Sequence, residues 1–254
     1  EQLVFDLLEE RFADWQEKGF IPRKSIEPGN ETTRLLRERG WTHWHHLFTP
    51  RQLLIHGLFL SIIEEMDLDL ATHVASILAV GRCCERNSRL CIWGAGASRE
   101  LIAHTFYNQA LNTLFTFAGR GLTLLRTAWF GDLTYFEIGD KSKIIPCDAR
   151  SNDFICDYWI TDPPYADAVN YHELSEFFLA WYDKHIQKLF PDWYIDSKRA
   201  LAITGSDETF LKGMVDCYKN LSNNMPINGA QIVMFTHQDT GIWADLASIL
   251  WSSG

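Results

Sequence analysis

The chain has 254 residues, 46% of them apolar and 22% charged, with a formal net charge of −10. That composition can bury a real core, and the charge argues against a chain whose whole surface is a polycation for nucleic acid, though not against a local basic groove. No apolar run reaches the length that spans a bilayer and no signal-peptide pattern opens the chain, so a soluble, cytoplasmic protein with no membrane partner is expected.

Val4, Leu7, Leu8 and Phe12 recur at helical spacing, so 1–18 reads as an amphipathic helix closed by Gly19. "IPRKSIEPGN" (21–30) is a loop by its prolines and glycine, and "ETTRLLRERG" a short helix ending at Gly40. "HWHH" (43–46) has no second ligand cluster beside it, so it reads as an aromatic segment entering a helix, and no metal is expected. Thr49 is placed to cap that helix, Pro50 suits its first turn, and Gln52 completes a capping box. A further helix is expected over 70–86, a strand running into a glycine turn over 88–98, and a helix over 99–119. Period does not decide between helix and strand for "LTLLRTAWF" and "YFEIG". Candidate cations for a groove cluster in 34–40, at Arg51 and in 81–89. The six cysteines contain no C-x-x-C pair and read as reduced, mostly buried thiols.

From residue 140 the pattern alternates. Strands are expected over 142–150, 155–161, 199–204 and in "GAQIVMFTHQD", with helices over 171–190, from 208, and at the end of the chain. Alternation of this kind implies an α/β fold, with a parallel-type sheet covered by helices on both sides.

The most informative stretch is "YWITDPPY" (158–165). In an open α/β sheet, ligands sit beyond the carboxyl ends of the strands, which is where Asp162 falls. Pro163 and Pro164 lack backbone donors and hold φ fixed, so their carbonyls can face a pocket along a stiff turn. Asp162 adds a carboxylate acceptor and Tyr165 a flat ring. Together these suit a planar group bearing an amine with two N–H donors, such as a base taken out of its duplex.

"DPPY" resembles the catalytic motif of the amino-methyltransferases, which move a methyl group from S-adenosylmethionine to adenine N6 or cytosine N4. The resemblance implies a Rossmann-like methyltransferase sheet flanked by helices. It also implies that Asp162 and Pro163 hold the target amine, with Pro164 completing the turn, while Tyr165 stacks on the flipped base. Asp148, after the preceding expected strand, would lie near the cofactor adenine, and Thr49 and Pro50, in "HLFTPRQLL", would hold its methionine end. "RGWTHWHHLFTPRQLL", "RNSRLCIW", "TFYNQALNTLF", "ITDPPYADAVNYHELSEFFLAWY" and "VMFTHQDTGIWADL" together are similar to the large adenine-specific DNA methylase-like proteins of anti-phage defence loci. That relation places Asp167, Tyr171, Glu173 and Ser175 along the target pocket or its lid, and gives Leu174, Phe177 and Trp181 to helix packing.

The implied organisation is a helical segment over 1–46 and a methyltransferase catalytic domain over 47–254, cut from a longer chain. Two glycine turns are candidates for the cofactor loop, "CIWGAGAS" and "FAGRG". In the large relatives that loop lies upstream of the matched region, so a missing segment or a partner chain is expected to supply it. The implied function is DNA amino-methyltransferase, adenine-N6, with duplex DNA as partner and S-adenosylmethionine as cofactor. An RNA or other amine methyltransferase, or a nucleic-acid-binding subunit without a working cofactor site, are the alternatives.

Overall fold

Helix α1 (Gln2–Lys18) stops where a residue free to take positive φ follows it. Gly19 is left-handed (φ 84°) and the cap N–H returns to the Trp15 carbonyl. Helix α2 (Thr32–Arg39) ends in the same way on Gly40 (φ 67°). A 3-10 turn (Trp44–Leu47) enters α3 (Pro50–Glu65) through the expected capping box. Thr49 Oγ1 accepts from the Gln52 N–H at 3.3 Å, and Gln52 Oε1 accepts from the Thr49 N–H at 2.9 Å. Helix α4 (Leu70–Arg86) is capped by Asp69, whose Oδ1 accepts from the Thr72 N–H at 3.0 Å. Strands β1 (Ile92–Gly94) and β2 (Leu101–Ala103) pair antiparallel. Strand β3 (Tyr158–Thr161), helices α5 (Tyr171–Leu189) and α6 (Glu208–Asn223), strand β4 (Ala230–Val233) and helix α7 (Thr240–Ser252) follow.

These elements come from a computed structural model that describes residues 1–94, 101–106, 142–164, 170–193, 201–203 and 208–254, with the backbone only at 92–94 and 101–103. The described chain divides into two compact units, Glu1–Ile138 with Glu173–Ser197, and Gly139–His172 with Lys198–Gly254. The segment 1–46 falls inside the first unit, where α1 packs on α3.

The first unit is a helical core. Leu8 and Trp15 of α1, Leu53, Leu60 and Ile63 of α3, Ile77 and Val80 of α4, and Phe177 and Trp181 of α5 bury together. Phe48 stacks on Phe177 at 6.0 Å and stands edge-on to Trp181 at 5.1 Å. The packing role expected for Phe177 and Trp181 is what they perform, at 0% and 1% exposure. Close approach is bought by glycine: a Cβ on Gly57 would lie 2.3 Å from the Trp15 ring.

The second unit holds the parallel pair. β3 and β4 run in register from Tyr158↔Ala230 to Thr161↔Val233. On one face Trp159 and Val233 pack against Phe210, Met214, Tyr218 and Leu221 of α6 and Ile249 of α7. On the other, Tyr158, Ile160 and Ile232 are exposed. Among the described residues, helices therefore cover one face of this pair rather than two.

Three expected elements are corrected. The expected helix over 99–119 is extended at Leu101–Ala103, because a three-residue apolar run satisfies either period and the antiparallel partner decides. The expected strand over 142–150 is irregular chain ending in a turn, since Pro146 cannot donate to a ladder and Asp148 accepts from the Arg150 N–H at 2.9 Å to close an Asx-type turn. Residues 201–203 of the expected strand over 199–204 form no strand. The glycine turn at 95–98, "FAGRG", "LTLLRTAWF" and "YFEIG" lie outside the described residues. None of the six cysteines forms a disulfide, and Cys83, Cys84, Cys91 and Cys217 are buried. No described helix is long and apolar enough to cross a membrane.

Candidate functional site

Thr161 closes β3, and the ladder runs one step further: the Met234 N–H donates to the Thr161 carbonyl at 2.8 Å. Asp162 is thus the first residue past the carboxyl end of a strand in a parallel pair. Pro163 has no N–H for the ladder, so the chain must leave the sheet at this point. Pro163 is buried, Pro164 half-buried and Asp162 exposed, so the turn is anchored through its rings while the carboxylate faces outward. Tyr165 and Asp167 lie outside the described residues.

A phenol absent from the sequence expectations stands behind this turn. Tyr218 Oη lies 3.2 Å from Thr161 Oγ1. Burial pushes its pKa up and outweighs the opposing hydrogen bond with Thr161, while Cys217 and Asp162 add smaller upward contributions. Tyr218 is therefore a neutral phenol at pH 7, within electrostatic reach of Asp162. Its helical spacing with Phe210, Met214 and Leu221 marks it as core, and nothing local marks the hydroxyl as a site group.

The chain leaving β4 borders the same strand end. Asp239 donates its N–H to His237 Nδ1 at 3.0 Å and caps α7 by accepting from the Gly241 N–H at 2.7 Å. Trp243 Nε1 donates to the His237 carbonyl at 3.0 Å, and the ring stands edge-on to Phe235 at 5.0 Å. Two firmly turned loops thus leave neighbouring parallel strands at the end where α/β sheets bind ligands.

Asp148 belongs to the same unit but is engaged. Its two carboxylate oxygens take a fork from Arg150, Nη2 to Oδ2 at 2.8 Å and Nε to Oδ1 at 3.0 Å. Burial first, and the Asp148 charge second, push the Cys217 thiol up to about 11. Adjacent residues of α6 thus lie within electrostatic reach of the two acids, Cys217 of Asp148 and Tyr218 of Asp162. The same helix holds the loop beyond Asp148, since Asn220 Nδ2 donates to the Ala149 and Asn152 carbonyls at 3.0 Å each.

The other sequence candidates have different work. Thr49 and Pro50 lie in the first unit, where the Thr49 hydroxyl and N–H are both engaged by Gln52. Tyr171 opens α5 in the second unit and is exposed, as is Ser175 in the first. Glu173 is corrected: it is 3% exposed and its carboxylate faces the start of α2, where it accepts from the N–H groups of Asn30, Glu31 and Thr32 at 2.8, 3.0 and 2.8 Å. Burial alone would push its carboxyl pKa up, but these donors outweigh it and hold the pKa below the ordinary value. It caps a helix rather than lining a pocket. Among the candidate cations, Arg51 pairs with Glu1 and Arg37 with Glu38, while Arg39 and Arg89 both lie over the Trp41 ring at 5.3 and 5.0 Å.

Comparison with protein-family models, with curated proteins and with solved structures finds no match to this chain. The residues themselves can be tested against S-adenosylmethionine, which carries an adenine amine, a ribose diol and an amino-acid end, and so needs several open acceptors. Asp162 suits an amine. Asp148 accepts a further donor only by giving up its Arg150 fork, and Thr49 is occupied by its own helix. The described residues therefore suit one amine and do not by themselves make up a site for the whole cofactor.

Proposed function

We propose that this chain is the catalytic part of an S-adenosylmethionine-dependent DNA amino-methyltransferase acting on adenine N6, with β3 and β4 belonging to a Rossmann-like sheet. One observation carries the reading: an exposed carboxylate stands at the carboxyl end of a parallel strand, on a turn stiffened by two prolines whose first ring is buried. When bound, S-adenosylmethionine supplies an activated methyl group. The Asp162 carboxylate and the Pro163 carbonyl accept the two N–H bonds of the target amine, which turns its lone pair toward the incoming carbon. The same acceptors favour the positive charge that grows on nitrogen. Tyr165 grips the ring of a base that has left its stack.

A second reading, a nucleic-acid-binding subunit without a working cofactor site, is favoured by the engaged state of Asp148 and Thr49. Calorimetric titration with S-adenosylmethionine separates the two, since heat of binding belongs to the enzyme alone. Transfer of labelled methyl to duplex DNA, to RNA and by Asp162→Ala completes the test. The expected result is transfer to DNA, reduced about a hundredfold or more in the variant. Undiminished transfer by Asp162→Ala would overturn the assignment of the turn, and transfer to RNA alone would move the substrate.

A further inference from the structure

In the first unit, side chains from three helices meet: Glu64 of α3, His73 of α4 and His185 of α5, with their ligand atoms all within 4.8 Å of one another. His73 is 8% exposed and His185 3%. Among the described residues, neither Nε2 has a hydrogen-bond partner. Buried polar atoms are normally satisfied, and two such nitrogens turned toward one carboxylate leave an unmet demand at a single point.

His185 is held as a ligand would be. Its imidazole bonds to the Gly19 backbone. Because Nε2 has no partner, the bond is made by Nδ1–H, which leaves the lone pair on Nε2. A ligating imidazole almost always donates its other N–H to a carbonyl or carboxylate in this way. Phe20 stacks on the ring at 6.2 Å and fixes its plane. Glu64 is divided between two neighbours: Oε1 pairs with Lys188 Nζ, and Oε2 stands 3.9 Å from His73 Nε2. That distance is too long for a hydrogen bond. A simple His–Glu pair would close the gap, whereas here three ligand atoms stand around a common centre.

We propose that Glu64, His73 and His185 form a site for a divalent transition-metal ion of the zinc class, with one coordination position left to water. Two imidazoles and one carboxylate suit zinc or a neighbouring first-row ion, and not calcium or magnesium, which take oxygen ligands. Tetrahedral bonds of about 2.0–2.1 Å place ligand atoms about 3.4 Å apart, so binding draws the cluster in by roughly 1 Å. The ion ties α3, α4 and α5 together at a point where local sequence shows no ligand spacing, since each helix contributes one residue.

The test uses the full chain, stripped of metal with a chelator and titrated with zinc against a competing indicator dye. Cobalt, followed by its visible absorption, reports the geometry. One equivalent of zinc is expected, with a rise in melting temperature and a four-coordinate cobalt spectrum. Glu64→Gln changes a half-buried side chain at the margin and leaves both histidines in place, so it reads the site without disturbing the core. It and His185→Gln should each weaken zinc binding at least about tenfold. The double replacement His43→Ala with His46→Ala should leave it unchanged. Absence of zinc binding, unchanged binding in both Glu64→Gln and His185→Gln, or loss confined to the His43/His46 double variant would each overturn the proposal.

Discussion

Glu173 shows how far one side chain's task can lie from its local context. It sits among motif residues that follow the "DPPY" turn, yet three backbone N–H groups at the start of α2 claim its carboxylate. Those donors would otherwise be orphans of a helix N-terminus, where a negative charge is also favoured. Glu173→Gln removes the charge and keeps one acceptor, so it should cost about 1–3 kcal/mol at pH 7 by urea denaturation. The native carboxyl pKa is depressed, so this stability is present above the unfolded value and is lost as pH falls through the native one. The gap between wild type and variant should therefore shrink in acid. An equal gap at pH 7 and pH 3 would show that the charge is not what holds α2.

At the level of elements, ends are the legible part. Gly19 and Gly40 stop α1 and α2, and the Thr49–Gln52 box starts α3, because each device works within four residues of chain. Short strands are less legible. "YWIT" forms β3 because it finds β4, whereas 142–148 has an apolar pair before Pro146 and finds no partner among the described residues. Helix contact is also set outside the element. Gly57 in the middle of α3 lowers helix propensity, and alanine there would gain about 1 kcal/mol in isolation. Against Trp15 at 2.3 Å the same methyl overpacks a buried ring, at a cost of up to about 3 kcal/mol. Gly57→Ala should therefore destabilise by about 1–2 kcal/mol net in chemical denaturation, and a stabilised variant would mean that Trp15 moves freely.

On the scale of the whole molecule, acid should act through buried imidazoles. Burial pushes His56 down to about 3 and His45 down to about 4. His56 is fully buried, and its Nε2 lies 3.1 Å from Asn87 Nδ2, which suits a neutral ring accepting from the amide. The unfolded chain binds protons at these positions below about pH 6.5 while the native state does not, so stability falls as pH is lowered from there toward 3. The loss through His56 alone reaches about 1.4 kcal/mol per pH unit. Melting temperature measured from pH 7.5 to 4.5 should decline steadily below 6.5, and a flat profile would mean that His56 is not held neutral.

The amino-acid sequence by itself determined where α1, α2 and α3 begin or end, that a proline-stiffened turn follows a strand at Asp162, and that Phe177 and Trp181 pack. Those properties follow from caps, from φ restriction and from one helical face, all of which act over a few residues. Tertiary structure alone decided that Tyr218 stands behind Thr161, that Asp148 pairs with Arg150 in a turn rather than at a strand end, that Glu173 serves α2, and that Glu64, His73 and His185 converge. Most of these depend on which faces of distant elements meet, and the Asp148 turn on a segment that finds no strand partner among the described residues. The period and composition of a single segment carry no record of either.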